Sequence, residues 1–328
     1  MKILCGDIGG TKVRLAVYTA EHFPQPLAEN CYASHNFSSL TEIVYNFISD
    51  KDFQITHAVF GLAGPVSGRY CKTTNLPWEI NADKMERDLH ISSVHLINDL
   101  EATAYGISAL DKDDYLTLQS GLANSSGNRA IIAAGTGLGQ AGMFWDGTRH
   151  IPFATEGGHC DFSPSSELEF NLLTAIKQEN SNVSWEDILS GPGLESIYSF
   201  LLDWHQQAKP GWFNANQGSG AVAEKITNLA SDKLDQIATE ALELFSRLYG
   251  AEAGNLALKH MATGGIYLGG GIAPKITKWL QLPLFLEAFC QKGKMQGLMQ
   301  SIPVQVILND RAALYGPAIY LKEILQQE

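Results

Sequence analysis

Short apolar runs alternate along the chain with longer segments in which apolar residues recur every three or four positions. The short runs and the alternating stretches predict strands at 2–5, 13–18, 58–62, 94–97, 130–134, 142–145, 266–268 and 304–308. The longer periodic segments predict helices at 40–48, 82–89, 99–110, 167–178, 234–261 and 312–325, of which 234–261 is one long helix or two. Strands that alternate with helices in this way indicate an α/β fold.

Two glycine turns divide the chain into similar halves. Residues 3–11 and 131–139 both read as an apolar strand, a glycine-rich turn and a returning strand. The repeat predicts two related α/β domains that face each other across a cleft. The polar, turn-rich stretch 111–128 is interpreted as a domain junction, and 209–220 as an exposed loop. The predicted limits are 1–107 plus 308–328 for a small α/β domain, and 108–307 for a large α/β domain with helical insertions.

Composition excludes several classes of protein. Among 328 residues, 45% are hydrophobic and 18% charged, which is typical of a globular chain and not of a disordered or fibrous one. The net charge of −12 opposes binding to a nucleic-acid backbone. The chain has no signal-peptide pattern and no run of 18 apolar residues, so we expect no membrane partner. Five scattered cysteines without a C-x-x-C pair favour free thiols in a reducing cytoplasm over disulfides or structural zinc.

The glycine turns are candidates for phosphate binding, because glycine leaves backbone N–H groups accessible to an anion. Each turn also carries a hydroxyl, on Thr11 or Thr136. The P-loop order is absent, and no kinase catalytic loop occurs. Residues 137–142 match G-x-G-x-x-G, but a strand is predicted after them where a dinucleotide site requires a helix. Two β-hairpin phosphate clamps remain, with ordinary glycine turns as the alternative.

Asp7 follows directly on a predicted buried strand. An unpaired carboxylate is costly at such a position, and Mg²⁺ bound with phosphate oxygens would offset that cost. The alternative is an aspartate that is hydrogen-bonded within the turn. Asp99 lies at the carboxyl end of another predicted strand, where α/β proteins bind ligands, and its alternative is an N-cap of the following helix.

Six motifs occur in an order and spacing that resemble the bacterial glucokinases, in the group without the zinc-binding cysteine cluster of the related repressor-and-kinase family. The motifs lie at 6–11, 97–99, 135–139, 156–159, 189–194 and 269–271. The resemblance implies the hexokinase and actin superfamily fold, with two actin-like, ribonuclease-H-like α/β domains around a central cleft. It also implies a cytoplasmic homodimer that uses ATP and Mg²⁺ to phosphorylate glucose or a similar hexose.

The resemblance further implies a role for each matched residue. Asp99 would be the general base, and Asp7 would hold Mg²⁺ through water. The residues implied to contact the sugar are Asn75, Asn98, Asp99, Glu156, His159 and Glu186. Those implied to contact the nucleotide are Gly6, Asp7, Ile8, Gly9, Gly10, Thr11, Gly135, Thr136, Gly137, Gly270 and Gly271.

The residues alone leave other readings open. His159 is also compatible with the role of a structural histidine. Glu156 and His159 could form a metal pair, but no third ligand lies at suitable spacing. Glu186 is also compatible with an acidic residue early in a helix. Lys12 and Cys160 depart from the family pattern; Lys12 is expected to face solvent and Cys160 has no assigned role. The main hypothesis is transfer of the ATP γ-phosphate to the 6-hydroxyl of glucose. The alternatives are a kinase for another hexose or an N-acetylhexosamine, and a non-catalytic actin-like nucleotide switch.

Overall fold

The computed structural model describes residues 1–51, 53–73, 76–122, 126–178, 180–215 and 220–326. The chain forms two compact units. The first comprises Met1–Lys112, Ile151–Ala154 and Asn309–Glu328, and the second comprises Asp113–His150 and Thr155–Leu308. The domain limits given above, at 107/108 and 307/308, stay a prediction.

The first unit is built on a five-stranded sheet with helices on both faces. Its strands are β1 (Lys2–Ile8), β2 (Lys12–Thr19), β3 (Ala28–Ala33), β4 (His57–Leu62), β5 (Val66–Ser67), β6 (Tyr70–Lys72), β7 (Glu79–Asn81) and β8 (Ser93–Asn98). Its helices are α1 (Leu40–Ile48), α2 (Ala82–Leu89), α3 (Asp99–Gly106) and the last helix of the chain, α12 (Ala312–Leu325). The main sheet has the order β3-β2-β1-β4-β8, and β5, β6 and β7 form a small separate sheet.

Alternating residues of β1 enter two different cores, because successive side chains of a strand point to opposite faces. Leu4 and Ile8 join the core that also buries residues of α1 and α2. Ile3 and Cys5 join the core formed with α3 and α12. The central strand is therefore covered on both sides, which explains its nearly continuous apolar sequence.

The second unit contains a six-stranded sheet and most of the helices. The strands of this sheet are β9 (Tyr115–Gln119), β10 (Arg129–Ala134), β11 (Leu138–Trp145), β12 (His150–Thr155, of which residues 151–154 are grouped with the first unit), β13 (Gly265–Gly269) and β14 (Val304–Ile307). The helices are α4 (Glu167–Ile176), α5 (Gly191–Trp204), α6 (Gly211–Ala215), α7 (Ala221–Ser231), α8 (Gln236–His260), α9 (Thr277–Leu280), α10 (Pro283–Cys290) and α11 (Gln296–Ser301). The order of the sheet is β12-β11-β10-β13-β14-β9.

The two main sheets repeat one topology. In the first, β1 pairs antiparallel with β2 and parallel with β4, and β4 pairs parallel with β8. In the second, β10 pairs antiparallel with β11 and parallel with β13, and β13 pairs parallel with β14. The repeat predicted from the two glycine turns is confirmed at the level of strand order and direction. The predicted fold class, α/β with two actin-like units, is confirmed by this arrangement.

The prediction of an exposed loop at 209–220 is wrong in part, and two other predictions of local structure gain detail. The stretch 111–128, interpreted as a junction, contains β9, which pairs antiparallel with β14 at the edge of the sheet. The sequence pattern of this strand is weak, because Leu116 and Leu118 are its only residues that pack against the core. The stretch 209–220 contains α6, where Phe213 is buried, and residues 216–219 of this stretch lie outside the described residues. The segment 234–261 is a single helix, α8, capped by the Asp235 side chain.

Candidate active site

Three strand ends of the first unit lie side by side. Ile8 of β1 pairs with Leu62 of β4, and Leu62 pairs with Asn98 of β8. Because these strands are parallel, their carboxyl ends meet at one edge of the sheet, where α/β proteins bind ligands. The first glycine turn follows Ile8 and Asp99 follows Asn98, so the sequence correctly placed both motifs at strand ends.

The first glycine turn is held from behind by main-chain and hydroxyl contacts. The Gly9 N–H donates to the Lys12 carbonyl at 2.9 Å. Buried Ser34 donates its hydroxyl to the Gly9 carbonyl at 3.0 Å and its N–H to the Thr11 carbonyl at 3.0 Å. Thr11 and Lys12 are exposed. The turn is thus fixed on its protein side while its tip is open to solvent.

Asp7 belongs to β1 and not to the turn, which removes the alternative of a hydrogen-bonded turn aspartate. It pairs across the sheet with Arg14 of β2, whose guanidinium Nη2 lies 2.8 Å from Asp310 Oδ2. Burial raises the pKa of Asp7 to about 6, Arg14 opposes the rise, and the Asp310 charge adds to it. A divalent cation would favour the ionised carboxylate, so the position fits the expected metal contact.

Asn98, and not Asp99, caps helix α3. Its side-chain oxygen accepts from the N–H groups of Leu100 at 2.9 Å and Glu101 at 3.3 Å. Its amide donates to the Gly64 carbonyl at 3.3 Å, and a second amide hydrogen remains for a ligand to use. The N-cap interpretation of Asp99 is therefore wrong, because Asp99 is the first residue of the helix.

Asp99 is partly exposed where α3 lies against β4. A Cβ on Gly61 would stand 2.8 Å from Ala102 Cβ and 3.7 Å from Asp99 Cα, so glycine permits this close approach. Buried Cys71 of β6 lies near the carboxylate. Its own burial and the Asp99 charge raise the pKa of the Cys71 thiol to about 11. Asn75, the other sugar contact expected in this unit, falls outside the described residues.

Three segments converge on the second glycine turn. Within the turn, the Gly135 N–H donates to the Gly137 carbonyl at 2.8 Å. The first residue of α5, Gly191, donates to the Gly135 carbonyl at 2.8 Å. Gly270 has φ +79°, and a Cβ there would stand 2.4 Å from the Ala134 carbonyl oxygen. The motifs at 135–139, 189–194 and 269–271, far apart in sequence, are therefore neighbours.

Glu156, His159 and Glu186 form a cluster in the second unit. His159 Nε2 lies 4.0 Å from Glu156 Oε2, and its Nδ1 lies 4.0 Å from Glu186 Oε1. The side chains of Glu156 and His159 are 59% and 61% exposed, so His159 is not a buried structural histidine. Glu186 lies in a turn before α5 and not in a helix. The cluster offers two carboxylates and an imidazole to the hydroxyl groups of a ligand.

Glu186 also contacts the second glycine turn. Its Oε2 accepts from the Leu138 N–H at 2.8 Å, and a Cβ on Gly137 would stand 2.4 Å from the same oxygen. Its own N–H donates to the Gly158 carbonyl at 2.9 Å. One carboxylate thus joins the candidate phosphate turn to the turn that carries Glu156 and His159.

Sequence reasoning missed several residues that support the site. Arg14 and Asp310 act on the charge of Asp7, and Ser34 holds the first turn. The pairing of Asp7 with Arg14 follows from the hairpin register, which the glycine turn could have suggested. Asp310 and Ser34 give no local signal, because their partners are remote in sequence.

Two features are absent from the described parts of the chain: a metal-binding cluster and a membrane-spanning helix. Across these residues, no group of three or more His, Cys, Asp or Glu side chains is arranged to hold a metal ion. Their helices include none with the length and apolar character needed to cross a membrane.

Comparison with known proteins assigns the chain to a family. A family model described as Glucokinase matches residues 4–324. The chain belongs to the glucokinase family. It is 39% identical to the glucokinase of Synechocystis over an alignment of 345 residues that covers 97% of each protein. These findings confirm the resemblance drawn from the six motifs, and with it membership of an ATP-dependent sugar kinase family.

Solved structures give the same result. The crystal structure of glucokinase from an Antarctic psychrotroph superposes with a TM-score of 0.84 at 29% identity, covering 98% of this chain and 99% of that one. The glucokinase of Balamuthia mandrillaris, solved in complex with glucose, superposes with a TM-score of 0.81 at 22% identity, covering 98% and 93%. The second likeness, at this identity, supports the fold alone.

Proposed function

We propose that the chain transfers the γ-phosphate of ATP to the 6-hydroxyl of glucose, with Asp99 as the general base. The observation that carries this proposal is the position of Asp99. It is a partly exposed carboxylate at the carboxyl end of β8, in register with the end of β1 that leads into the first glycine turn. A carboxylate so placed can accept the hydroxyl proton as the oxygen attacks phosphorus.

The glycine turns serve the nucleotide in this proposal. Backbone N–H groups of the turns at 9–11 and 135–137 bind phosphate oxygens, except those of Gly9 and Gly135, which already donate within their turns. The Gly270–Gly271 turn lies against the second glycine turn, near the adenosine. Asp7 would hold Mg²⁺ through water, and the ion when bound would neutralise part of the phosphate charge. Arg14 keeps the Asp7 side chain from carrying an isolated negative charge before ATP binds.

The sugar is bound by side chains that can accept and donate hydrogen bonds. Glu156 and Glu186 accept from hydroxyl groups, and His159 donates or accepts according to its tautomer. The remaining amide hydrogen of Asn98 donates to a further hydroxyl, and Asn75 is retained as a contact from the family pattern. Several convergent polar groups on rigid turns favour a polyhydroxylated substrate over an apolar one.

The decisive test is Asp99→Asn, which keeps the size of the side chain and removes the base. We expect kcat with glucose to fall by about 10²-fold or more, while glucose binding measured by tryptophan fluorescence changes little. Glu101→Gln, two residues further along α3, is the matched control and is expected to retain turnover. Near-normal turnover of a folded Asp99→Asn variant would show that Asp99 is not the general base.

A sugar panel separates the alternatives. ADP release is measured with glucose, fructose, mannose and N-acetylglucosamine, each with and without Mg²⁺. The proposal expects the highest kcat/KM with glucose and dependence on the metal. A higher kcat/KM with another sugar would make the chain a kinase for that sugar, whereas tight ATP binding without stimulation by any sugar would favour the nucleotide switch. Light scattering tests the homodimer, which also belongs to the proposal.

A further inference from the structure

A buried polar pair lies behind the turn that carries Glu156 and His159. Gln140 of β11 is 2% exposed, and Glu252 of α8 is fully buried. Gln140 Nε2 donates to Glu252 Oε1 at 2.9 Å, and Asn255 Nδ2 donates to Glu252 Oε2 at 2.9 Å. Apolar residues of similar volume are often as stable as a buried polar pair, so folding alone gives no reason for this one.

The pair fixes the orientation of the glutamine amide. Both Glu252 oxygens accept from amide nitrogens, Oε1 from Gln140 and Oε2 from Asn255, so the Gln140 amide turns its nitrogen towards Glu252 and its oxygen away. That oxygen faces the turn, because a Cβ on Gly157 would stand 2.1 Å from Gln140 Oε1 and 2.9 Å from Gln140 Cδ. The glutamine head therefore occupies the space that a side chain at residue 157 would need.

The main chain of Gln140 holds the same turn from a second side. Its carbonyl accepts from the Thr155 hydroxyl at 3.0 Å, and that hydroxyl accepts from the Gly157 N–H at 3.4 Å. Two residues earlier on β11, the Leu138 N–H binds Glu186. One strand thus contacts each segment that carries a member of the Glu156, His159 and Glu186 cluster.

We infer that Gln140 is a positioning residue for the sugar, held in its active orientation by Glu252. Gln140 is too buried to touch a substrate, so it acts through the Gly157–His159 turn. If the amide is lost, the turn can shift, and Glu156 and His159 no longer meet the sugar hydroxyls at hydrogen-bond distance. The inference rests on the proposed function, since it assigns these residues to the sugar.

The test uses Gln140→Met, which keeps the length of the side chain and removes its polar head. We expect the KM for glucose to rise about tenfold, while the KM for ATP changes less than about twofold. Because this variant removes the donor to Glu252 Oε1 and leaves only Asn255 bonded to the buried carboxylate, its folding stability is expected to fall as well. Stability loss alone therefore cannot identify the role of the residue.

The double variant Gln140→Met/Glu252→Leu separates the two roles. Removing both polar partners is expected to restore most of the lost melting temperature, because no buried carboxylate is left short of a donor and only the partly exposed Asn255 loses an acceptor. The KM for glucose is expected to stay raised. A double variant that regains both wild-type stability and the wild-type KM for glucose would show that the pair is only structural.

Ser246→Ala provides the matched control on the same helix. Ser246 is fully buried and donates to the Trp279 carbonyl at 3.0 Å, away from the turn. We expect lower stability with an unchanged KM for glucose. An unchanged KM for glucose in folded Gln140→Met would also overturn the inference. Failure of the wild-type chain to phosphorylate glucose would instead contradict the proposed function, so the two failures are distinguishable.

Discussion

The turns at 9–11 and 135–137 close hairpins of the same topology, yet different partners hold them. The first is fixed by Ser34 and follows a strand that contains Asp7. The second is fixed by the start of α5 and by Glu186. The first turn therefore has a carboxylate beneath it that can serve a metal, whereas the second has a carboxylate beside it that belongs to the candidate sugar cluster.

This difference predicts that the two glycine turns, although equivalent in the repeated fold, affect different substrates. Changes around the first turn should act on the nucleotide, because the carboxylate next to this turn, Asp7, is the one proposed to hold Mg²⁺. Changes around the second should act on glucose as well, since Glu186 contacts the Leu138 N–H and reaches towards His159. Variants at matched positions of the two turns can separate these duties.

Asp7→Asn is expected to have the largest effect. The change keeps the shape of the side chain and removes the charge proposed to hold Mg²⁺. We expect kcat/KM for ATP to fall by about 10²-fold or more, with glucose binding retained. Steady-state kinetics at varied Mg²⁺ measures the loss. Asp310→Asn, on the other side of Arg14, is the comparison, and an equal loss there would contradict a special role for Asp7.

The same variant should change the pH dependence of stability in the metal-free protein. The pKa of Asp7 is raised from 3.8 to about 6 by burial, so the unfolded chain loses this proton first as the pH rises. Wild-type stability therefore declines between these two values, and asparagine removes that decline. In denaturant unfolding, the free energy of unfolding of Asp7→Asn minus that of the wild type should be larger above pH 6 than at pH 3.5.

Gly137→Ala is expected to have the next largest effect, and on the other substrate. Its Cβ would stand 2.4 Å from Glu186 Oε2, which is the mobile end of a side chain. The carboxylate can move aside at little cost in stability, but it then leaves the sugar cluster. We expect the KM for glucose to rise about tenfold with a nearly unchanged melting temperature.

Gly135→Ala, in the same turn, is the control for that prediction. A Cβ at residue 135 would meet no atom within 4 Å, so Glu186 keeps its place. The KM for glucose should then equal that of the wild type, while the KM for ATP is free to change. Equal rises in the KM for glucose in both variants would show that the turn, and not Glu186, sets sugar binding.

The comparison also shows what the sequence could predict. Each glycine turn and its flanking strands follow from local patterns and are present in the structure, although β1 extends to Ile8 instead of ending at residue 5 and β11 begins at Leu138 instead of residue 142. The resemblance assigned residues 135–137 and Gly270 to the nucleotide, but the contact between Gly191 and the second turn was not predicted. Local signals were sufficient to locate each strand, because the apolar pattern marks its buried middle, but they did not fix its exact ends.

Contacts between remote segments were beyond such reasoning. Arg14 and Asp310 are 296 positions apart, and Gln140 and Glu252 are 112 apart. Neither pair has a sequence pattern, since one polar residue in a strand or helix is compatible with many partners. The N-cap of α3 was weighed only as an alternative for Asp99 and not for Asn98, because both residue types are good N-caps and only the backbone distinguishes neighbouring positions.

Ser34→Ala is expected to have the smallest effect and to sharpen the contrast between the turns. The change removes one hydrogen bond to the Gly9 carbonyl and leaves the Ser34 N–H contact to Thr11 in place. We expect the free energy of unfolding to fall by about 1 kcal/mol, and the KM for ATP to rise about two- to threefold, with the KM for glucose unchanged. Ser108→Ala, which removes a hydroxyl bond to the Tyr105 carbonyl in the same unit, should lower stability without changing either KM. A rise in the KM for glucose on Ser34→Ala would mean that the first turn also serves the sugar, and the division of duties between the turns would fail.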